Sequence, residues 1–380
     1  MTPPADRAAE SVQPAGGRRP LRQAAMWLML GAMLLLAALG LMLAFYATVK
    51  LTYSAYTCGS FARIDGEIGW VLKPSTTSCL GGRSAFSPSR PWFHSTVFTD
   101  VNGFRAARPG GLTPTGGVMM VGDSFTFGYG VDFEDSFAGV FAATSGIPVV
   151  DAASPAYSSA QFVLLAERWV ERLRPRAIVI LEIDQWRRAA CRGPSRPVVI
   201  LKPCYWQSPA THEVEVVTPP PGRVERWAGY GIVPGGMIGA GEITWSYFLL
   251  SRPVLQAFDL AARFGLISGF AHDYRAVGVD EEALRRAAAQ HIGRLAEKAQ
   301  VPVILLNPIN STPDALLDQL PPQARALIHR VGPEQWTREV TAKVPAGQRE
   351  LPNDAHFSTA THRAVGELIV KQIRTLGLVK

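Results

Sequence analysis

Residues 117–130 read GVMMVGDSFTFGYG: an apolar run that stops at a glycine and is followed by an aspartate, a serine, a threonine and two more glycines. GVMMV has the length and character of a strand enclosed on both faces, and GDS after it is turn chemistry. In open parallel sheets the reacting groups gather where such strands end, because loops converge there and helix N-termini point their amides there. Ser124 is therefore expected at the carboxyl end of a strand. Gly122 and Gly128 allow the backbone to turn tightly enough to expose its hydroxyl and its amide.

Outward from that point the chain alternates strand-like and helix-like signals. DSFAGVFAATSG (135–146) is an amphipathic helix ending in glycine, IPVVDAAS (147–154) a strand, and SSAQFVLLAERWVERLR (158–174) a helix that Ser158 or Ser159 can cap. RAIVILEID (176–184) is a buried strand. After residue 190 the pattern lapses until about 275, in a stretch such as VVTPPPGRVERW (216–227) with too much proline and glycine for a central sheet. It resumes with the helix DEEALRRAAAQHIGRLAEKAQ (280–300), the strand VPVILLNPI (301–309) and a last helix STATHRAVGELIVKQIRTLG (358–377). Strands separated by helices imply parallel pairing with right-handed crossovers, hence an α/β fold, a three-layer α/β/α sandwich with a central parallel sheet. This domain is expected over 115–380, with an insertion at about 190–275.

Before it, residues 48–114 carry turn residues and short aromatic stretches without helical period, GEIGWVLKPS (66–75) and VFTDVNGFRA (97–106), and read as a lead-in that packs on the main domain. Residues 24–47, AAMWLMLGAMLLLAALGLMLAFYA, contain no charge and no proline. At about 1.5 Å per residue they outreach a hydrocarbon layer of about 30 Å, which predicts one transmembrane helix. A cleaved signal peptide is the alternative, but its apolar core is usually about 7–15 residues and ends at a small-x-small site, which AFYATVK (44–50) does not offer. Residues 1–23 read as a disordered tail. Arg18, Arg19 and Arg22 precede the helix and only Lys50 follows closely, so the tail is expected in the cytoplasm and the rest outside.

Four cysteines agree with an oxidising compartment. Proximity pairs Cys58 with Cys79 and Cys191 with Cys204, one of three possible pairings; zinc is the rival, disfavoured by the lack of a CxxC pair. The net charge of +7 comes from scattered arginines without a basic run, so no nucleic-acid partner is expected. A basic surface facing anionic glycan or the membrane exterior is the milder reading.

A serine hydroxyl is a poor nucleophile until an imidazole takes its proton, and the imidazole needs a carboxylate to fix its tautomer. LPNDAHFS (351–358), just before the last helix, supplies both: His356 as base and Asp354 two residues earlier. The Ser124 amide is an oxyanion donor. GDSFT lacks the second glycine of G-x-S-x-G, so the nucleophile elbow of α/β-hydrolases is not what is written. Asp123 reads as a residue that holds the serine loop through backbone hydrogen bonds, and His362 as one that packs or caps on the last helix. His212, His272, His291 and His329 show no ligand spacing, so neither a metal nor a cofactor is expected.

GDSFTFGYGV resembles the first signature block of the SGNH (GDSL-type) hydrolase superfamily. VVDAASPAYSSAQ (149–161) resembles its second block, and NDAHFSTATHRAVGELI (353–369) the terminal block in which Asp and His precede the last helix. GEIGWVLKPS followed by DVNGFR is similar to the leader of bacterial members that sit outside the membrane and act on polysaccharide acyl groups. The resemblance covers about residues 65–185 and 300–375, and it implies a flavodoxin-like winding of the sheet and a bacterial inner-membrane anchor with the main domain in the periplasm. It implies Ser124 as nucleophile, His356 as base and Asp354 as its orienting acid, with Asn353 the position that the commoner Asp-x-x-His spacing would select. It also implies an oxyanion hole from the amides of Ser124 and of Ala156, which stands where the second block usually has glycine. Where the third block usually reads Gly-x-Asn-Asp the chain has LEIDQ (181–185), so Gln185 is the candidate third donor and Asp184 a ligand of nearby amides.

The function implied is a membrane-anchored serine esterase or O-acyltransferase acting on acyl groups, acetyl foremost, of a cell-surface or exported polysaccharide, within a polysaccharide biosynthesis or export complex. The departures at Ala156 and LEIDQ motivate an alternative: an inactive glycan-binding scaffold of the same fold.

Overall fold

The computed structural model describes residues 19–52, 54–59, 61–83, 90–183, 203–207, 214–217 and 281–378. Helix α1 runs Arg19–Thr52. It is longer than its apolar stretch because the flanking residues include good helix formers, and Pro20 falls in the first turn, where no intrahelical N–H is lost. Residues 19–23, expected as part of a disordered tail, are therefore helical; 1–18 lie outside the described residues. Within α1, Gln23–Ala44 has a mean hydropathy of 2.3 and none of its most apolar window is buried. It is long and apolar enough to cross a membrane. This helix forms one compact unit and the chain from Ser54 onward another.

In the second unit the lead-in supplies β1 (Ser54–Thr57), β2 (Ala62–Asp65), β3 (Gly69–Leu72), β4 (Thr77–Arg83), β5 (Phe93–Thr99) and β6 (Arg105–Ala106). The strands β7 (Val118–Val121), β8 (Val149–Asp151) and β9 (Ala177–Leu181) follow, then a separate hairpin of β10 (Cys204–Gln207) and β11 (Val214–Val217), then β12 (Val303–Leu306) and β13 (Ile328–Val331). Among the described residues the main sheet has nine strands, in the order β1-β4-β5-β6-β8-β7-β9-β12-β13. Its half from β8 to β13 is parallel, and β1, β4, β5 and β6 extend it antiparallel from the β8 edge.

The parallel half is the α/β core. Counted from β7 its strands run 2-1-3-4-5, the order of a doubly wound sheet, with the switch point between β7 and β9. Reversing direction at β8 sends the crossover before it and the crossovers after it to opposite faces. Helix α3 (Phe137–Ser145) and the last long helix, Thr359–Thr375, cover the face of Val118, Met120, Val179 and Ile304. Helices α4 (Ser159–Leu173) and α5 (Glu281–Ala299) cover the face of Met119, Val121, Ile178 and Leu305. That two-sided cover explains why GVMMV and AIVIL are apolar without alternation: all nine of their strand residues are buried. Gly366 lets the Thr359–Thr375 helix, α6, approach α3 closely, since a Cβ there would lie 2.7 Å from Val140 Cγ1.

The wholly parallel sheet expected from alternation holds for this half only. The lead-in does not merely rest on the domain; it continues the sheet. FHSTVFT in β5 does alternate, burying Phe93, Ser95, Val97 and Thr99, as a sheet extension covered on one face requires. The β2–β3 hairpin is tied to the start of α4, where Tyr157 Oη donates to the Trp70 carbonyl (2.6 Å) and Gln161 Nε2 to that of Ile68 (2.9 Å). Cys58 and Cys79 form a disulfide joining the end of β1 to β4. Cys204 is also disulfide-bonded, while Cys191 and most of the insertion at 190–275 lie outside the described residues. Ser158 is the N-cap of α4, its amide donating to Gln161 Oε1 (3.1 Å).

Candidate active site

Strand β7 ends at Val121, and the chain turns at once into a single helical turn, α2 (Ser124–Phe127). Asp123 is the N-cap, wholly buried, its Oδ1 accepting from the Phe125 amide at 3.0 Å. Gly122 is required by space: a Cβ would sit 2.0 Å from Thr126 Oγ1. Gly128 closes the turn with φ 71°, in the left-handed region where a side chain is strained. Ser124 is thereby placed first in the helix, at the carboxyl end of β7 and beside the switch point, with only 5 % of its surface exposed.

The loop before α6 brings the partner residues. His356 Nε2 lies 2.8 Å from Ser124 Oγ, across 232 residues of sequence. On its other side His356 Nδ1 lies 2.5 Å from Asp354 Oδ1, and the same oxygen accepts from the His356 amide at 2.9 Å. One carboxylate oxygen thus holds both backbone and ring, which fixes Nδ1 as the protonated nitrogen and leaves Nε2 to accept from the serine. The imidazole is also gripped by two aromatic rings: Tyr129 stacks at 4.4 Å between centroids and Phe125 lies tilted at 4.9 Å. Asn353, the other position considered for the acid, is exposed with φ 58° and forms the turn that precedes Asp354. A hydroxyl, an imidazole and a carboxylate in this order can pass a proton from oxygen to nitrogen while the positive charge formed is stabilised.

Of the expected oxyanion donors, Ser124 and Ala156 are described and Gln185, with Asp184, is outside the described residues. Among the described residues neither the Ser124 nor the Ala156 amide donates to a protein acceptor. Ala156 has φ 68°. The alanine thus keeps the left-handed backbone conformation that favours glycine.

At the third strand end the buried group is Glu182, which accepts from Thr312 Oγ1 at 2.6 Å. Burial pushes its carboxyl up to about 7, against the Thr312 hydrogen bond and the charges of Arg330 and Arg285. His362 caps α3, its Nδ1 accepting from the Phe137 amide at 3.2 Å, and burial, with Arg105 and His356 nearby, holds it down at about 3, so it is neutral.

Two features carry no signal in a motif reading. The first is the aromatic grip on His356, because FTFGY is equally well a core sequence. The second is Arg105 at the end of DVNGFR, 98 % buried, which reaches from β6 into the serine loop. Its Nη1 donates to the carbonyls of Phe127 and, at 2.6 Å, of Gly128, and Nη2 to that of Val131 at 2.5 Å. Its guanidinium also lies 4.5 Å from the centre of the Phe127 ring. Its register partner on β8 is Asp151. Burial raises the Asp151 carboxyl to about 7 in spite of Arg105, and lowers Arg105 to about 10 in spite of Asp151, Asp132 and Glu134. Beside the site, a groove of about 410 Å³ opens between β5, the Gly130–Asp135 segment and the 348–360 loop, with Trp92, His94, Asp132, Asp135 and Glu350 in its walls.

Fold and site together define a class: a doubly wound α/β protein with a serine, a histidine and an aspartate linked by hydrogen bonds at the carboxyl ends of its strands. No protein-family model matches the chain, and no curated protein matches it either.

Proposed function

We propose that the chain is a serine esterase or O-acyltransferase of the SGNH type, its core a three-layer α/β/α sandwich, and that it acts on acyl groups, acetyl foremost, of a cell-surface or exported polysaccharide. The observation that carries this reading is the 2.8 Å approach of His356 Nε2 to Ser124 Oγ, backed by Asp354 on the far nitrogen. In the first step Ser124 Oγ bonds to the ester carbonyl carbon and its proton passes to His356 Nε2. The sugar oxygen then leaves with that proton, and an acyl-serine remains. Water, or the hydroxyl of a second sugar, gives its proton to His356 as its oxygen bonds to the acyl carbon; the bond from that carbon to Ser124 Oγ then breaks, Oγ takes the proton from His356, and the free acid or the acylated sugar leaves. The Ser124 and Ala156 amides, which have no acceptor among the described residues, are suited to the oxyanion of each tetrahedral intermediate.

The apolar helix α1 and the Cys58–Cys79 disulfide support an anchor in a bacterial inner membrane with the chain from Ser54 in the periplasm. Such a site serves a substrate made or exported at that membrane, alone or within an export complex. The groove beside the site, with an aromatic ring and carboxylates in its walls, suits a hydroxyl-rich chain.

A fluorophosphonate probe applied to the full chain in detergent micelles tests this reading. Labelling is expected in the wild type, none in Ser124→Ala, and a loss of at least about 10²-fold in rate in His356→Ala. Asp354→Asn is expected to slow labelling, and Asn353→Ala to leave it near the wild-type rate. A folded wild type that takes no label would defeat the enzyme and leave the glycan-binding scaffold. Mass spectrometry of a candidate oligosaccharide incubated with an acetyl donor then separates transfer to sugar from release of free acetate.

A further inference from the structure

We propose that Arg105 is the positioning residue of the Ser124–His356 pair, a clamp contributed by the lead-in segment without which the serine loop does not hold its imidazole in line. The inference rests on the reading of Ser124 as nucleophile and extends it to a residue that touches neither reacting atom.

The carbonyls that Arg105 collects are not scattered. Phe127 is the last residue of α2, Gly128 is its C-cap and Val131 ends the turn that follows, so one planar guanidinium holds the whole exit of the serine helix. The helix itself is a single turn, too short to be stable unaided. Its C-terminal carbonyls are the groups left without intrahelical donors, and a buried cation there satisfies them and complements the local dipole. Between the clamped residues lies Tyr129, whose amide donates to the Ser124 carbonyl at 2.9 Å and whose ring stacks on His356. Displacing that segment therefore moves both the hydroxyl and the ring that holds its base.

The fit is close enough to exclude substitutes. A Cβ on Gly128 would come within 2.7 Å of Arg105 Nη1, and lysine, with one point of charge, cannot span three carbonyls in a plane. Arg105 is held from behind by its place opposite Asp151 in the β6–β8 register, so the clamp is anchored in the sheet rather than in a loop.

The test compares the full chain with Arg105→Lys in detergent micelles, following the fluorophosphonate labelling rate per folded molecule across pH and amide hydrogen exchange over residues 125–131. Arg105→Lys is expected to label to full stoichiometry but about 10–10²-fold more slowly, with a pH profile flattened toward that of His356→Ala, and to exchange its 127–131 amides at least about tenfold faster. A role in global stability alone would lower the fraction labelled and leave the profile of the folded molecules unchanged; that result, or wild-type exchange over 127–131, overturns the proposal. If the wild type takes no label, the nucleophile reading falls by itself, and the exchange comparison alone still decides whether Arg105 clamps the loop. If Arg105→Lys does not fold, Tyr129→Leu replaces it: a wild-type labelling profile there breaks the link from clamp to imidazole and overturns the proposal.

Discussion

Asp354 shows how much can depend on a spacing of two residues. Its Oδ1 receives both the amide and the Nδ1 of His356, an arrangement open to a carboxylate two positions before the histidine, while Asn353 one residue further back is turned to solvent with φ 58°. The Asp-x-His string already contained that preference. Nothing local disclosed the φ of Ala156, because a residue enters the left-handed region only when its surroundings hold it there. That conformation costs an alanine about 1–2 kcal/mol, partly offset by the extra chain entropy that glycine loses on folding. Ala156→Gly is expected to stabilise the protein by about 0.5–1 kcal/mol in urea unfolding. Equal stability of the two proteins would mean that the 155–158 turn relieves the strain in another way.

Among the elements, β6 and β8 form the most consequential pair, although β6 has two residues and β8 three. Their register sets Arg105 against Asp151 in the interior, and both groups are displaced from their ordinary titration ranges. Asp151 titrates at about 7 when folded against 3.8 in the unfolded chain, so the folded state holds the proton more tightly. Stability from this group is complete below about pH 3.8 and is lost as pH rises to about 7. In Asp151→Asn the fall in unfolding free energy between about pH 5 and pH 7.5 is expected to shrink by on the order of 2 kcal/mol. His362, depressed to about 3, acts in the opposite sense, with stability lost as pH falls below 6.5, and is common to both proteins. An identical pH slope in the two proteins would mean that the 151 carboxylate is already ionised in the fold.

Considered as a whole molecule, the chain joins an apolar helix to an α/β unit. Alkaline carbonate is expected to leave the full chain in the membrane pellet and detergent to release it. Release by carbonate alone would mean that α1 does not span.

The apolar runs, their helical or unbroken patterning and the membrane-length helix were legible without coordinates, because burial and turn chemistry act through neighbours in the chain and leave periodic traces; Ser124, His356 and Asp354 were singled out by motif chemistry and resemblance, and the fold brings the three side chains within hydrogen-bonding distance. Strand β13, in ALIHRV, was not, because it is half-exposed at a sheet edge and carries neither an unbroken apolar run nor a clean alternation. The antiparallel extension, the grip of Tyr129 and Phe125 on His356, and the reach of Arg105 into three carbonyls were decided only by the tertiary structure. Each depends on a pairing between distant segments, and a hydrogen bond or a ring contact across the fold imposes no period on the sequence that makes it.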